Sequence, residues 1–201
     1  MRSKKFYSCL LISAMLIILL TGCSKTTKKE TPQETQNADQ ETEQTKTQEA
    51  DATEEAAAGI TFEALDLEGN TVTESVFSDT KLTMVNVWAT YCNPCLSEMP
   101  ELGELAAEYD AAQFQIIGIV SDVQEGMEEE AVAYASSLVS QTGAAYPHLL
   151  LNESLFYAML SEVSAVPTTF FIDEKGVVVD TVVGARDKDS WKEMIDELLE
   201  E

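Results

Sequence analysis

The chain has 201 residues, of which 36 are acidic and 12 are basic, so its formal net charge is −24 at neutral pH. This length corresponds to one domain with additional segments. The strong negative charge excludes a nucleic-acid binder, because phosphate backbones are bound by clustered Lys and Arg side chains. It also disfavours docking flat on anionic lipid.

Residues 1–22 have the organisation of an export signal. Three of the first five residues are basic, and an apolar stretch of 11 residues follows at 10–20. That stretch is too short to span a bilayer and suits the central part of a signal peptide. Residues 20–23, Leu-Thr-Gly-Cys, resemble the bacterial lipobox, which implies that Cys23 is lipidated and becomes the new N-terminus. The alternative is an ordinary cleaved signal in which this cysteine stands by chance.

Residues 23–58 follow as a polar, acidic segment. From residue 24 onwards it contains no aromatic residue and no Val, Ile, Leu or Met, so it cannot bury enough apolar surface to offset the entropy cost of ordering. We expect a disordered tether that holds the domain near the membrane but not on it; a partner-binding tail is the alternative. The folded domain is predicted at residues 59–201, where five basic residues oppose 27 acidic ones.

The hydrophobic pattern of the domain predicts alternating strands and helices. Strands are expected at 60–66, 71–73, 82–88, 114–120, 148–151, 168–173 and 177–183, and helices at 94–109, 128–140, 154–160 and from 189 onwards. The strand at 82–88 is the most apolar, as expected for burial on both faces, and Pro100 should kink the helix after it. Parallel strands joined by helices, followed by an antiparallel hairpin, indicate an α/β fold with a mixed central sheet flanked by helices.

Two cysteines of the domain are spaced for redox chemistry. Once the cysteines of the signal and the lipobox are set aside, only Cys92 and Cys95 remain. A stabilising disulfide benefits from a long closed loop, and a two-residue spacer closes almost none. Tetrahedral zinc needs four ligands, but the chain has no second C-x-x-C and one histidine, His148, which should be packed or at a rim. We therefore predict a redox-active pair with no metal and no cofactor.

The surroundings of this pair carry a family resemblance. Residues 88–95, Trp-Ala-Thr-Tyr-Cys-Asn-Pro-Cys, resemble the thioredoxin active site, and residues 166–168, Val-Pro-Thr, resemble its cis-proline segment. Glu98, the N-terminal hairpin and the extra segment before the cis-proline are similar to the TlpA/ResA-like branch of membrane-anchored, extracytoplasmic thiol-disulfide oxidoreductases. The resemblance covers residues 59–201 and implies a thioredoxin fold with an N-terminal β-hairpin and an insertion before the cis-proline strand.

One position departs from cytosolic thioredoxins, which keep a buried aspartate two residues before the tryptophan. This chain has Asn86 there. The TlpA/ResA-like branch carries its acid on the active-site helix, and Glu98 matches that position. The resemblance implies that a buried Glu98 exchanges a proton with the thiol of Cys95 and raises a thiol pKa by opposing a second negative charge. The alternative is a solvated surface glutamate.

The predicted start of this helix prepares Cys92 for nucleophilic attack. Pro94 fits the first turn, where its missing N–H costs nothing, and the free N–H groups and helix dipole face the Cys92 sulfur. The pKa of that thiol should fall below the free value of about 8.5, which favours the nucleophilic thiolate. Cys95 then resolves the mixed disulfide, while Asn93 and Pro94 tune the balance between dithiol and disulfide. Because Asn93 adds no charge, the two residues between the cysteines do not indicate a strong oxidant.

The resemblance also implies a docking surface around the pair. A cis bond at Val166-Pro167, opposite the cysteines, would present the Val166 backbone to a peptide in a strand-like manner and keep metals off the dithiol; a trans turn proline is the alternative. Trp88 and Tyr91 should form the apolar rim of the site. Core packing of Trp88 is the alternative interpretation.

These observations predict a lipid-anchored thiol-disulfide reductase on the extracytoplasmic face of the cytoplasmic membrane, at the cell surface or in the periplasm. Its expected partners are disulfide-bearing exported proteins and an integral-membrane thiol electron donor, and we expect a monomer. The resemblance implies clients in cytochrome c maturation, or an exported repair enzyme such as a methionine sulfoxide reductase. Two alternatives remain open: an oxidase or isomerase on the same fold, which only the reduction potential distinguishes, and a non-catalytic tethered binding protein or metal chaperone.

Overall fold

The computed structural model describes residues 59–200. The predicted signal peptide at 1–22, the lipidation site Cys23 and the tether at 23–58 lie outside the described residues. The strands are β1 (Glu63–Leu65), β2 (Thr71–Thr73), β3 (Leu82–Trp88), β4 (Phe114–Gln124), β5 (His148–Leu151), β6 (Thr168–Asp173) and β7 (Val178–Val183). The α-helices are α1 (Asn93–Glu108), α2 (Glu129–Thr142), α3 (Glu153–Leu155) and α4 (Lys188–Glu200), with a 3₁₀ helix at Glu74–Asp79 and a π-helical turn at Phe156–Leu160. No helix within residues 59–200 has the length and apolar character that crossing a membrane requires.

The main sheet has five strands in the order β5-β4-β3-β6-β7. Strands β3, β4 and β5 are parallel, whereas β6 and β7 are antiparallel to their neighbours. This arrangement is the mixed sheet that the sequence predicts. Strands β1 and β2 form a separate antiparallel hairpin, which meets the edge of the main sheet through a bridge between Asp66 and Leu149.

The central strand β3 is buried along its whole length and divides the core into two parts. Because side chains alternate across a strand, Met84 and Trp88 pack in the cluster that contains the buried residues of α1, α2 and α4. Val85 and Val87 face the opposite side, towards the N-terminal hairpin and the segment after β5. Asn86 has the same parity as Met84 and Trp88, so its amide is directed at the helices.

Several boundaries differ from the sequence-based expectation. Strand β1 is only three residues long because it pairs with the three residues of β2, and the backbone at Ile60 bonds instead to the carbonyl of Gly176. Strand β4 continues to Gln124, beyond its apolar part. The 3₁₀ helix after β2 was not predicted. Helix α1 includes the exposed Pro100, as predicted, and the kink there stays a prediction.

Candidate active site

Helix α1 begins directly after Cys92. Cys92 is the N-cap residue, with an extended backbone (φ −86°, ψ 94°), and Pro94 stands within the first turn. The Cys92 Sγ accepts a hydrogen bond from the backbone N–H of Cys95 at 3.3 Å. A free N–H at a helix start stabilises negative charge on an acceptor. The helix start therefore has the geometry that the sequence predicts for an activated sulfur.

Cys92 and Cys95 are joined by a disulfide, with their Cα atoms 5.3 Å apart. Cys92 retains 5% of its surface in contact with solvent, whereas Cys95 has none. The intervening Asn93 and Pro94 are both exposed. An incoming thiol or disulfide therefore reaches the Cys92 sulfur first, which leaves the resolving step to Cys95.

The loop between β3 and α1 is held by residues that the sequence analysis missed. Asp122 accepts hydrogen bonds from the backbone N–H of Thr90 at 2.9 Å and from its hydroxyl at 2.6 Å. The Ser121 hydroxyl donates to the carbonyl of Trp88 at 2.9 Å. Both residues come directly after the predicted strand at 114–120, and the carboxyl ends of parallel strands meet at one edge of a sheet. That rule could have identified them.

The bond between Val166 and Pro167 is cis, as expected. Val166 packs against the part of the core that contains Cys92 and Cys95. The Pro167 carbonyl accepts a hydrogen bond from the N–H of Gly184 at 2.9 Å, which fixes this loop to the residue after β7. Val166 also lines one cleft with Tyr91, the residue before Cys92, while the role of the cis-proline segment in docking stays a prediction.

Glu98 is buried, with 3% of its surface exposed, so the surface alternative is wrong. Its Oε1 accepts from the Asn86 side chain and its Oε2 from the backbone N–H of Arg186, both at 3.2 Å. Burial raises the pKa of this carboxyl, and the hydrogen bonds from Arg186 and Asn86 offset part of that rise. The indole N–H of Trp191 also favours the charged form, although it falls short of full hydrogen-bond geometry. Glu98 is therefore a carboxyl that holds its proton more readily than an exposed glutamate.

Asn86 completes the polar contacts beneath α1. Its Nδ2 donates to Glu98 and, at 3.1 Å, to the hydroxyl of Thr169 on β6. Its Oδ1 is buried and has no hydrogen-bond partner among the described residues. An amide at this position supports the neighbouring carboxylate, where an aspartate would repel it.

Trp88 is fully buried, so its predicted place on the rim is wrong. The indole N–H donates to Nδ1 of His148 at 3.1 Å, and the His148 Nε2 therefore carries the proton that binds the Ala144 carbonyl at 3.0 Å. The imidazole also stacks on Tyr146, with ring centroids 4.5 Å apart. His148 is therefore packed, as predicted, and because burial lowers its pKa to about 4 it is neutral at physiological pH. Tyr91, which is 73% exposed, remains at the rim.

Among residues 59–200, no cluster of three or more His, Cys, Asp or Glu residues could hold a metal ion.

Comparison with known proteins identifies the family. Residues 55–181 match the model of the AhpC/TSA family. The chain belongs to the AhpC/TSA family. Within it, the chain is similar to the thiol-disulfide oxidoreductase ResA of Bacillus thuringiensis (strain Al Hakam), with 30% identity over 128 residues, which are 64% of this chain and 69% of that relative. The chain spans about two thirds of the length of the curated relatives that it matches first.

Solved structures of thioredoxin-family proteins share this fold. A thiol:disulfide interchange protein of the thioredoxin family from Chlorobium tepidum TLS has a TM-score of 0.60 at 24% identity and covers 71% of this chain and 95% of that one. The pneumococcal exposed lipoprotein thioredoxin Etrx1 from Streptococcus pneumoniae strain TIGR4 has a TM-score of 0.53 at 26% identity, covering 68% and 98%. The chain is a TlpA/ResA-like protein with the thioredoxin fold. It is a thiol-disulfide oxidoreductase, as the sequence predicts.

Proposed function

We propose that this oxidoreductase is tethered to the membrane on its extracytoplasmic side and reduces disulfides in exported proteins. The observation that carries the proposal is the position of Cys92, which caps α1 through its sulfur and is bonded to the buried Cys95. A sulfur at a helix N-terminus is favoured as a thiolate. The uncharged Asn93 and Pro94 between the cysteines add no further positive charge that would favour a strong oxidant.

The proposed cycle moves two electrons from the domain to the client. The Cys92 thiolate attacks one sulfur of a client disulfide; a bond forms between Cys92 and the client, the client S–S bond breaks, and the departing sulfur takes up a proton. The Cys95 thiol then loses its proton and attacks the Cys92 sulfur, which releases the second client sulfur as a thiol. The domain is left with the disulfide between Cys92 and Cys95.

Glu98 is proposed to handle the proton of the resolving step. It lies three residues after Cys95 on α1, a spacing that makes two helical side chains neighbours. Its buried carboxyl has a raised pKa, which suits a group that takes up and returns a proton. Val166 and Pro167 are proposed to dock the client backbone beside Cys92. The cycle needs no cofactor besides the dithiol.

The membrane tether is proposed from residues 20–23, Leu-Thr-Gly-Cys, with the lipid on Cys23. The likeness to an exposed lipoprotein thioredoxin supports this proposal. An integral-membrane thiol donor would restore the dithiol, and the clients would be proteins of cytochrome c maturation or an exported repair enzyme. Replacing Cys23 with Ser should release the protein from the membrane fraction; retention there would exclude the lipid anchor.

Trapping tests the exchange reaction directly. Cys95→Ser should accumulate client mixed disulfides on Cys92, since the resolving sulfur is absent, and these adducts should disappear under reducing conditions. Cys92→Ser is the matched control and should trap none. Recovery of no adducts from cells that express Cys95→Ser, or equal recovery from both variants, would contradict the proposal.

The reduction potential tests the direction. The full-length protein is equilibrated in thiol buffers, and the two cysteines are counted by alkylation. A potential at or below about −220 mV, on the thioredoxin side of the scale, supports a reductase. A potential near about −120 mV would identify an oxidase instead.

A further inference from the structure

A groove leads away from the redox pair along the segment inserted before the cis-proline. Its first part is a cleft of about 240 Å³ whose lining includes Tyr91, Val166 and Phe156. Its second part, a cleft of about 330 Å³, shares Phe156 and Leu151 with the first and continues to Tyr157. These two connected clefts form the aromatic groove. Because Tyr91 directly precedes Cys92 in the chain, a peptide in the groove passes beside the attacking sulfur.

Exposed aromatic rings are concentrated at this groove. Within residues 59–200, four Tyr or Phe side chains are strongly exposed, and three of them line it: Tyr91 at 73%, Tyr157 at 70% and Phe156 at 41%. The fourth is Tyr134 on α2, at 54%. Clustered exposed apolar surface marks interaction sites, whereas single exposed residues are ordinary. The groove thus presents three of the four strongly exposed aromatic rings of the described surface to an apolar partner.

The inserted segment presents these rings from a fixed base. Asn152 caps α3 by accepting the N–H of Leu155 through its side chain at 2.8 Å, and Leu155 itself is fully buried. The π-helical turn that follows directs Phe156 and Tyr157 outwards, with their rings at 78° to each other and 5.4 Å apart. Preformed binding surfaces lose little entropy when a partner binds.

The charged side chains in the segments that line the groove are all acidic. Between residues 82 and 174 the chain has 14 acidic residues and no Lys or Arg. Glu153 lines the second cleft, and the exposed Glu162 lies in the segment that lines the first. Arg186 lies in the loop whose Gly184 N–H binds the Pro167 carbonyl, and its guanidinium donates to the carbonyls of Gly184 and Ala185. A cationic partner therefore meets no repulsion from the segments that line this groove, and an acidic partner meets no compensating charge on them.

We propose that the aromatic groove selects clients in which the disulfide is flanked by an extended segment with both basic and apolar side chains. This inference rests on the proposed function and specifies which client proteins the domain reduces. The covalent step is unchanged: Cys92 bonds to one client sulfur while the client S–S bond breaks. The aromatic rings supply apolar contact, and the acidic surroundings increase the rate of productive encounter.

Short peptides test this selection with the reduced full-length protein in detergent. Each peptide carries one cysteine in a mixed disulfide with 2-mercaptoethanol, flanked by Lys and Leu, by Glu and Leu, or by Lys and Ser. We expect the Lys/Leu peptide to react about tenfold faster than the Glu/Leu peptide at low salt, and this gap to shrink severalfold at about 0.5 M NaCl, because salt screens exposed charges. The Lys/Ser peptide should react about fivefold more slowly than Lys/Leu, since it lacks apolar contact. Rates within about twofold for all three would overturn the proposal.

Paired variants locate the selection on the protein. Glu153→Gln with Glu162→Gln should reduce the preference for Lys over Glu by about threefold or more. Glu193→Gln with Glu197→Gln makes the same change in net charge on exposed positions of α4 and should leave the preference intact. Equal losses from both pairs would mean that overall charge selects the peptides, which would overturn the groove proposal.

An apolar pair of variants completes the test. Phe156→Ser should remove most of the preference for Leu over Ser, whereas Tyr134→Ser should not. If Phe156→Ser disrupts the inserted segment, the paired charge variants still test whether the groove selects the peptides. The neutral bis(2-hydroxyethyl) disulfide separates the two proposals: Cys92-dependent reduction of it without discrimination among peptides overturns only the groove, and no reduction of any disulfide overturns the proposed function as well.

Discussion

Asn86 on β3 and Glu98 on α1 share a buried hydrogen bond, from Nδ2 to Oε1 over 3.2 Å. The amide donor favours the charged carboxylate, while burial favours the protonated acid, and burial has the larger effect on the pKa of Glu98. The central strand and the active-site helix therefore meet through one titrating group. The protonation of Glu98 can be tested directly by substitution at either residue.

Replacing Asn86 with Asp places two carboxyl groups in this contact. Because two like charges in a buried contact resist joint ionisation, we expect the free energy of unfolding to fall by about 3 kcal/mol at alkaline pH and by less in acid, where the pair shares a proton. Urea denaturation of the oxidised protein at several pH values measures this difference. Gln113→Glu, which adds the same charge at an exposed position, should cost little, and an equal loss at every pH would contradict the prediction.

Glu98→Gln should slow the resolving step by about 100-fold, because the proton of Cys95 loses its acceptor. Rapid-quench measurement of the decay of the Cys92 mixed disulfide reports this step. The attack by Cys92 should change much less. If both steps slow equally, Glu98 has a structural role only.

The same variant should alter the pH dependence of stability. The pKa of Glu98 is raised on folding from its ordinary value of 4.5. Its contribution to the free energy of unfolding is therefore fully present below pH 4.5 and is lost as the pH rises through the pKa of Glu98 in the folded state. Wild type should thus lose stability relative to Glu98→Gln as the pH increases above 4.5. Glu197→Gln on the surface of α4 serves as the control, and a difference that is constant with pH would contradict the argument.

His148 should make the stability depend on pH in the opposite direction. Its pKa falls from 6.5 to about 4 on folding, so its contribution to stability is present above pH 6.5 and is lost as the pH falls towards 4. The loss is on the order of 3 kcal/mol from a shift of this size. His148→Gln removes it, so the unfolding free energies of variant and wild type should converge in acid; parallel curves would exclude a titrating His148.

Gly118→Ala tests how closely β4 approaches this histidine. A Cβ at residue 118 would overlap the His148 imidazole, and overpacking of this kind costs about 2 kcal/mol. Combining it with His148→Ala should recover most of that cost, because the small side chain leaves room. Costs that simply add in the double variant would show that the two residues do not compete for space.

The elements with the clearest apolar runs were predicted at their observed positions. Strands β3, β5 and β6 begin and end where expected, since each is a short apolar run bounded by polar or turn residues. The start of α1 was also predictable, because Pro94 is restricted to the first turn of a helix. In these segments, local preference and tertiary packing favour the same structure.

The features that were missed depend on partners distant in the sequence. The hydrogen bond of Trp88 goes to a residue 60 positions later, and the loop before Cys92 is fixed by Asp122. The error over Trp88 was avoidable as well: residues 84, 86 and 88 share a face of β3, so Trp88 should have been expected beside the buried Met84. The π-helical turn at Phe156–Leu160 has no comparable signal in the local pattern.

The position of Cys92 as the cap of α1 has a consequence for how the domain stores electrons. Reduction and unfolding form a thermodynamic cycle, so any interaction that stabilises the reduced folded form makes the domain a weaker electron donor. The N–H groups at the start of α1 act in that direction, by holding a thiolate, and an ionised Glu98 opposes it, because two negative charges repel. A difference of about 1.4 kcal/mol between these two effects shifts the reduction potential by roughly 30 mV. The donor strength of this domain should therefore depend on whether a single buried carboxyl is protonated.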